Sequence, residues 1–282
     1  MMTVDRRTVL RSTARLAALG AAAGVTTACG DSGDTPVRTD PGPEQSTGTA
    51  APWPSAPATP ADSPAAATPS PTVAPSLPPL SPTTPIEVVN GPRDRPQVAL
   101  TFHGQGDPAL ALALLAAAEQ HGARLTILAV GVWLDQQPQL ARRILDGGHE
   151  LGNHTQNHLD ISRMPAAQAR AEVQQCADRL RRLTGSIGRW FRPSSAQYAT
   201  PMVRAQARLV GYEHCLSYDV DPRDYTDPGA EVVQRRVLKA AIGGSVIALH
   251  MGHRGTVEAL PAILTGLAEA GLSAVTTSQL CA

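Results

Sequence analysis

The most informative segment of the chain reads Gly152-Asn153-His154-Thr155-Gln156-Asn157-His158 and overlaps a strand candidate, Glu150–His154. Two histidines four residues apart lie on one side of a helical turn, where both imidazoles can reach one metal ion. An ion such as Zn²⁺ would need one more protein ligand and would keep a position for water. The alternative is a pair of surface or capping histidines. The position of the pair at a strand end favours the metal.

Outward from this segment, apolar strand-like runs alternate with helical patterns from Gln97 onward. The predicted strands are Val98–Phe102, Leu125–Val130, Glu150–His154, Arg189–Phe191, Glu213–Tyr218, Ser245–His250 and Leu272–Thr276. The predicted helices are Pro108–His121, Gln139–Asp146, Pro165–Leu183, Met202–Val210, Ala230–Ala241 and Thr256–Ala270. This alternation indicates βα units around a parallel sheet. A curved sheet closed into a barrel and an open doubly wound sheet both fit the alternation, so periodicity leaves the two open.

Ionisable residues follow these strands repeatedly. They are His103 after the first strand, His154 and His158 at the third, Arg192 after the fourth, Asp221 and Asp224 after the fifth, and His250 at the end of the sixth. In parallel βα architectures, the groups that bind ligands collect at the C-terminal ends of the strands. The convergence of five strand ends on such groups predicts a functional site there.

The same motifs, in this order, resemble a known signature. They are Leu100-Thr101-Phe102, His154-Thr155-x-x-His158, Arg192-Pro193, Asp221-x-x-Asp224-Tyr225 and Leu249-His250. The order resembles the five motifs of the NodB-type polysaccharide deacetylases, carbohydrate esterase family 4, and the match runs from about Val98 to Val275. The resemblance implies an α/β fold, a distorted (β/α) barrel of about seven parallel strands.

The resemblance also implies catalytic roles. Arg192 would orient the catalytic base, and Asp221 and Asp224 would hold and polarise His250. His250 would be the general acid that protonates the leaving amine. Tyr225 would form an apolar wall where the family more often has Trp.

The first motif departs from the family. The resemblance assigns a divalent metal, with Zn²⁺ favoured, to His154 and His158, and in the family the run Thr-Phe-Asp-Asp-Gly supplies the base and a further ligand. Here the run is Thr101-Phe102-His103-Gly104-Gln105-Gly106-Asp107-Pro108. His103 therefore replaces the base and Gly104 replaces the ligand.

Three interpretations of this departure remain open. His103 could take over part of the site, because a neutral imidazole is both a competent base and a good metal ligand. The loop could instead bring Asp107 to the metal, although Asp before Pro108 is typical of a helix N-cap. In the third interpretation the domain no longer hydrolyses anything, and it either only binds glycan or does not act on glycan at all.

The N-terminal third has a different character. Residues 1–30 contain Arg6-Arg7, an apolar run and Thr26-Thr27-Ala28-Cys29-Gly30, which together resemble a twin-arginine export signal ending in a lipoprotein cleavage box. Residues 31–90 are rich in Pro, Ala, Ser and Thr, a composition that predicts a disordered linker. We therefore expect export to the cell envelope, with a lipid anchor at Cys29 as one outcome, and a folded domain over 91–282.

The charge and the cysteines of the chain limit which ligands and which disulfides are expected. The formal net charge is zero and the folded part has no basic run, which argues against nucleic acid. Cys176, Cys215 and Cys281 lack metal-site spacing, so we expect buried small hydrophobes, with at most one disulfide. We expect a monomer.

The sequence thus predicts a metal-dependent hydrolase that removes N-acetyl groups from cell-envelope polysaccharide, either peptidoglycan or a chitin-like glycan. The predicted catalytic residues are His103, Arg192, Asp221, Asp224 and His250. Two alternatives remain. One is a non-catalytic envelope protein that binds glycan in the same pocket, and the other is an esterase that acts on O-acetyl groups.

Overall fold

Short parallel strands form the centre of the domain, which a computed structural model describes over residues 77–282. The strands are β1 (Glu87–Val88), β2 (Gln97–Gly104), β3 (Thr126–Ala129), β4 (Glu150–Asn153), β5 (Trp190–Phe191), β6 (His214–Leu216), β7 (Val246–His250) and β8 (Ser273–Ala274). The helices are α1 (Pro108–Gln120), α2 (Gly131–Gln136), α3 (Gln139–Asp146), α4 (Ala166–Thr184), α5 (Pro201–Val210), α6 (Ala230–Ala240), α7 (Arg254–Glu269) and α8 (Thr277–Leu280). Two 3₁₀ turns cover Ile161–Arg163 and Asp224–Thr226.

The sheet curls into a distorted barrel. Its strand order is β1-β6-β5-β4-β3-β2-β7, with β8 paired to β2, and every pairing is parallel. A bridge between Val220, which follows β6, and Ile247 of β7 joins the two sides of the curled sheet. The prediction of a distorted barrel of about seven parallel strands is confirmed, and the open doubly wound sheet is not formed.

Alternation along β2 explains the two sides of the sheet, because successive side chains of a strand point to opposite faces. Val98, Leu100 and Phe102 pack in a core cluster with residues of α1 and α7. Ala99 belongs to a separate cluster with residues of β3, β6 and β7, inside the barrel. His103 therefore lies on the inner face, one step beyond Thr101.

Local signals fix the helix ends. Asp107 caps α1 and Pro108 is its first residue, and α4 ends at Gly185 in the left-handed conformation (φ 85°).

All seven predicted strands and all six predicted helices are present, with ends shifted by a few residues. The predictions missed β1, α2 and α8, each of six residues or fewer.

The boundary of the folded part lies earlier than residue 91. β1, inside the segment assigned to the linker, pairs with β6, and the amide of Ser81 donates to the carbonyl of Cys281. The predicted signal (1–30), Cys29 and most of the linker lie outside the described residues. Within residues 77–282, no helix is both long enough and apolar enough to span a bilayer.

The three cysteines of the described domain are free and buried. Burial raises the pKa of the Cys176 and Cys215 thiols to about 12, and that of Cys281 to about 11. The expectation of small buried hydrophobes is confirmed, and no disulfide forms among them.

Candidate metal centre and active site

The strand register brings the predicted site residues to one end of the barrel. His103 of β2 is the direct partner of His250 of β7, and Asn153, just before His154, is the partner of Phe191, just before Arg192. A cavity of about 290 Å³ opens at this end. It is lined by His103, His158, Ser195, Ala196, Gln197, Tyr218, Asp221, Tyr225, Ala248 and His250.

Three imidazoles converge beside this cavity. Nε2 of His154 lies 3.1 Å from Nδ1 of His103 and 3.1 Å from Nε2 of His158. One ring nitrogen from each of the three residues lies within 4.8 Å of the other two. His154 is completely buried, and His103 and His158 are partly exposed.

Hydrogen bonding and burial prepare these imidazoles for a metal. Nδ1 of His154 donates to the carbonyl of Arg192 at 3.0 Å, which leaves the lone pair of Nε2 directed at the other two rings. Burial lowers the pKa of His103 and of His154 well below the usual value, and neighbouring imidazoles lower both further. Burial also lowers the pKa of His158. All three are therefore neutral near pH 7, the form that binds metals.

The spacing fits a small divalent ion. At metal–nitrogen distances of about 2.0–2.1 Å, two nitrogens of a tetrahedral zinc site lie about 3.3–3.4 Å apart. The two 3.1 Å separations are close to that value. Neutral imidazole nitrogens at this spacing suit Zn²⁺ and similar transition metals.

The segment that carries His154 and His158 is a loop and not the helical turn that its spacing predicted. Thr155 and His158 have positive φ angles, 67° and 56°. The side chain of Asn153 accepts from the amide of Thr155 at 2.8 Å, and the hydroxyl of Thr155 accepts from the amide of His158 at 3.2 Å. These bonds hold a conformation that is unfavourable for non-glycine residues.

A buried carboxylate anchors the same loop. Glu172 of α4 accepts from the backbone amide of Asn157 at 2.8 Å and from its side-chain amide at 2.6 Å. Glu172 and Asn153 were not among the residues predicted for the site. Asn153 lies within the quoted histidine segment, but nothing local marks Glu172, which is fourteen residues beyond His158.

His250 is held by Asp224. The carboxylate of Asp224 accepts from Nδ1 of His250 at 2.8 Å, from its backbone amide at 2.7 Å, and from the hydroxyl of Thr256 at 2.7 Å. These bonds orient the ring and leave Nε2 as the nitrogen available to a substrate. Thr256, which the sequence analysis also missed, completes the set of donors around this carboxylate.

Asp221 does not contact His250. Its carboxylate accepts from the amide of Arg223 at 2.8 Å, where the chain turns in the left-handed conformation (φ 53°). This corrects the expectation that both aspartates hold His250. Asp221 stabilises the turn that leads to Asp224, and its side chain lines the cavity.

Arg192 also differs from its expected role. Its guanidinium is completely buried and donates to the carbonyls of Leu216 and Ser217, each at 3.0 Å, and to the hydroxyl of Thr101 at 2.9 Å. Burial lowers its pKa to about 10. No carboxylate of a catalytic base contacts it in the described domain. Arg192 therefore ties β2 to β6 across the barrel and orients His154 through its backbone carbonyl.

Asp107 and Gly104 of the altered first motif both lie where they do not reach the histidine cluster. The carboxylate of Asp107 accepts from the amide of Ala109 at 2.8 Å and caps α1, so its side chain is engaged outside the histidine cluster. A Cβ atom at Gly104 would lie 2.9 Å from Cγ2 of Ile127 and 3.0 Å from Cα of Ala129. A side chain at position 104 would therefore point into the outer core on the side of Phe102, away from the cavity.

Tyrosines form one wall of the cavity. The ring of Tyr225 lies edge-on to His250 with 5.3 Å between centroids, and 47% of the residue is exposed. Tyr218 lies under the guanidinium of Arg192 at 5.4 Å. Tyr225 thus occupies the position expected for an apolar wall.

The chain is similar in sequence to proteins of a known family. Residues 90–215 match the family described as Polysaccharide deacetylase. The chain is 32% identical over 201 residues to a peptidoglycan-N-acetylglucosamine deacetylase of Bacillus cereus, a match that covers 67% of this chain and 90% of that protein.

Solved structures share the fold. One is a peptidoglycan N-acetylglucosamine deacetylase in complex with 4-naphthalen-1-yl-N-oxidanyl-benzamide, which is 25% identical with a TM-score of 0.65 over 69% of this chain and 92% of that one. Another is a carbohydrate esterase family 4 pseudoenzyme from Bacillus anthracis, which is 23% identical with a TM-score of 0.66 over 70% of this chain and 69% of that one. The second likeness concerns the fold alone.

Proposed function

Because the chain belongs to the polysaccharide deacetylase family, we propose that it is a metal-dependent hydrolase that removes N-acetyl groups from cell-envelope glycan. Peptidoglycan is the favoured substrate, and a chitin-like glycan is the second candidate. The observation that supports this most is the presence, at one cavity, of a cluster of neutral imidazoles and an Asp224-supported histidine.

His154 and His158 would hold the metal, with Zn²⁺ favoured by their chemistry. The bound ion would supply a polarised acetyl carbonyl and an activated water. The Arg192 carbonyl keeps His154 in the tautomer that offers Nε2, and Glu172 keeps the loop of His158 in place. These contacts support a site that is formed before any ligand arrives.

His250 would protonate the amine as it leaves. A general acid of this kind contributes about 10²–10⁴-fold to a rate. Asp224 accepts from Nδ1 of His250, so that the proton to be donated is carried on Nε2. Tyr225 would exclude water from one side of this proton transfer, since its ring lies against that of His250.

The size of the cavity limits the substrate. At about 290 Å³ it lies at the small end of ligand pockets, which are about 300–1,000 Å³. We expect it to receive one acetylated sugar, with the rest of the glycan lying over the exposed rim near Tyr225.

The export signal, the lipid anchor at Cys29 and the monomeric state are part of the same proposal, in which the domain works at the cell envelope.

Acetate release from peptidoglycan and from N-acetylglucosamine oligomers tests the function. His154→Ala and His250→Ala should each abolish acetate release, and both should unfold with a normal cooperative transition. His121→Ala removes an exposed imidazole of the α1 end and should release acetate at the wild-type rate. Wild-type turnover in either site variant would refute the proposal.

A non-catalytic glycan-binding protein is the second candidate. It is favoured by one observation, the absence of a carboxylate at positions 103 and 104, where the family has its Asp-Asp pair. It predicts glycan binding without acetate release, and binding that is unaffected by His250→Ala. An O-acetylated glycan in the same assay distinguishes esterase activity from amide hydrolysis.

A further inference from the structure

We propose that His103 is the third metal ligand, through Nδ1, so that the ion is held by three neutral imidazoles in place of two imidazoles and a carboxylate. The inference rests on the proposed metal-dependent function and deepens it. It separates the two roles that the sequence left open for His103, those of base and of ligand.

His103 lies in one cluster with the two histidines predicted as ligands. Its Nδ1 lies 3.1 Å from Nε2 of His154, the same separation that joins His154 to His158. The ring centroids of His103 and His154 lie 4.2 Å apart at an interplanar angle of 61°, so the two rings meet at an edge and do not stack. One nitrogen from each of the three rings lies within 4.8 Å of the other two, a spacing at which the three side chains could hold one ion.

The hydrogen-bond partners of His103 differ from those of His250. Nε2 of His103 is buried and has no hydrogen-bond partner among the described residues. Nδ1 of His250, in contrast, donates to the carboxylate of Asp224 at 2.8 Å. Since no carboxylate of the described domain accepts a hydrogen bond from His103, the geometry supports a metal ligand at this position better than a proton carrier.

The two other candidate positions for a third ligand, 107 and 104, are directed elsewhere. Asp107 caps α1, and a side chain at position 104 would meet Ile127 and Ala129 in the outer core. Within residues 77–282, the three histidines are the one group of metal-binding side chains at this spacing.

Two consequences follow. A His103 ring bound to the metal through Nδ1 would not act as the general base, so proton transfer would fall to other ionisable groups that line the cavity, among them His250 and Asp221. A set of three imidazoles also binds Zn²⁺, Co²⁺ or Ni²⁺ in preference to Mg²⁺ or Ca²⁺, which favour carboxylate oxygens.

Zinc binding to the purified full-length chain tests the assignment without an activity readout. Affinity is measured by competition with a chromophoric chelator, and the number of imidazoles on zinc by X-ray absorption. His103→Gln keeps the volume and polarity of the side chain but removes the imidazole. Changing a residue that only orients a ligand costs about 10–100-fold in metal affinity, so loss of a ligand should cost at least about 100-fold.

The expected result is weaker zinc binding by His103→Gln and His154→Ala, together with three imidazoles on zinc in the wild type and two in zinc-saturated His103→Gln. His250→Gln, which changes a ring 4.1 Å from His103, should bind zinc as the wild type does.

If His103→Gln bound zinc with wild-type affinity while His154→Ala lost zinc affinity, the inference would be overturned and the proposed function would remain intact. Wild-type affinity in His154→Ala would overturn both, since the ion would then bind elsewhere. Thermal unfolding of each metal-free variant identifies any that fails to fold, and His103→Ala is used if His103→Gln is such a variant.

Discussion

Replacing Gly104 by aspartate restores the residue that the polysaccharide deacetylases have at the second position of their Asp-Asp pair. If this position could face the metal, the change would add a carboxylate ligand. The structure predicts the opposite outcome. A Cβ atom at position 104 would lie 2.9 Å from Cγ2 of Ile127 and 3.0 Å from Cα of Ala129, both buried.

The cost follows from these contacts. Forcing one extra methyl group into a packed core costs about 1–3 kcal/mol, which is the expected loss of unfolding free energy for Gly104→Ala. Gly104→Asp adds a buried carboxyl group without a partner, at a further cost of about 1–3 kcal/mol. The sum, about 2–6 kcal/mol, is a large share of the 5–15 kcal/mol typical of a domain.

Urea unfolding and thermal unfolding of the metal-free proteins, both followed by circular dichroism, measure these losses. For a domain of this size, 1 kcal/mol corresponds to about 2–4 °C in Tm, so Gly104→Ala should lower Tm by about 2–12 °C. Gly255→Ala in α7 is the matched control, because its Cβ would meet no atom closer than 3.6 Å. Its stability should equal or slightly exceed that of the wild type, since alanine is the better helix former.

One result would refute this reasoning. If Gly104→Asp unfolds at the wild-type urea concentration and binds zinc more tightly, the new carboxylate has reached the metal. Position 104 would then face the cavity, and the alternation assigned to β2 would be wrong.

Three further predictions concern single side chains. Asp224→Asn exchanges a carboxylate that accepts three hydrogen bonds for an amide, so kcat for acetate release should fall about 100- to 10,000-fold while zinc content, measured by mass spectrometry, is unchanged. Glu172→Ala releases Asn157 and the histidine loop, so zinc affinity in chelator competition should fall about 10–100-fold, and an unchanged affinity would contradict the anchoring role. Burial raises the pKa of Glu150 at the other end of the barrel, so the folded protein retains a proton that the unfolded chain loses above about pH 4.5. Wild-type stability should therefore decline as pH rises through the range between the unfolded and the raised folded pKa, and urea midpoints of Glu150→Gln should decline less over that range.

Much of this protein was predictable from local patterns. The alternation of apolar runs and helical periodicity predicted every longer strand and helix, because the spacing of the apolar residues within each segment shows which of its faces is buried. The capping role of Asp107 was also visible, since Asp before Pro is a local signal. The order of motifs at strand ends predicted that His103, His154, His158 and His250 lie at one site.

Other features depended on contacts between distant parts of the chain. β1 has two residues and no pattern of its own, and it exists because β6 offers an unpaired edge. The hydrogen-bond partners of Arg192 also lie in distant parts of the chain, and they differ from the catalytic base that was expected. With His103 in place of a carboxylate, Nε and Nη2 of the guanidinium donate to carbonyls of the β6 region and to Thr101. Nη1 is buried and has no hydrogen-bond partner among the described residues.

The sequence by itself determined the barrel, the family and the identity of the histidines that can bind a metal. The tertiary structure decided how these histidines are arranged. The strand register sets His103 beside His250, and left-handed residues in a loop bring His158 to His154. Because β2 packs closely on β3, there is no room for a side chain at position 104. Such outcomes depend on distances of a few tenths of an ångström between segments far apart in the chain, and residue spacing carries no information about those distances.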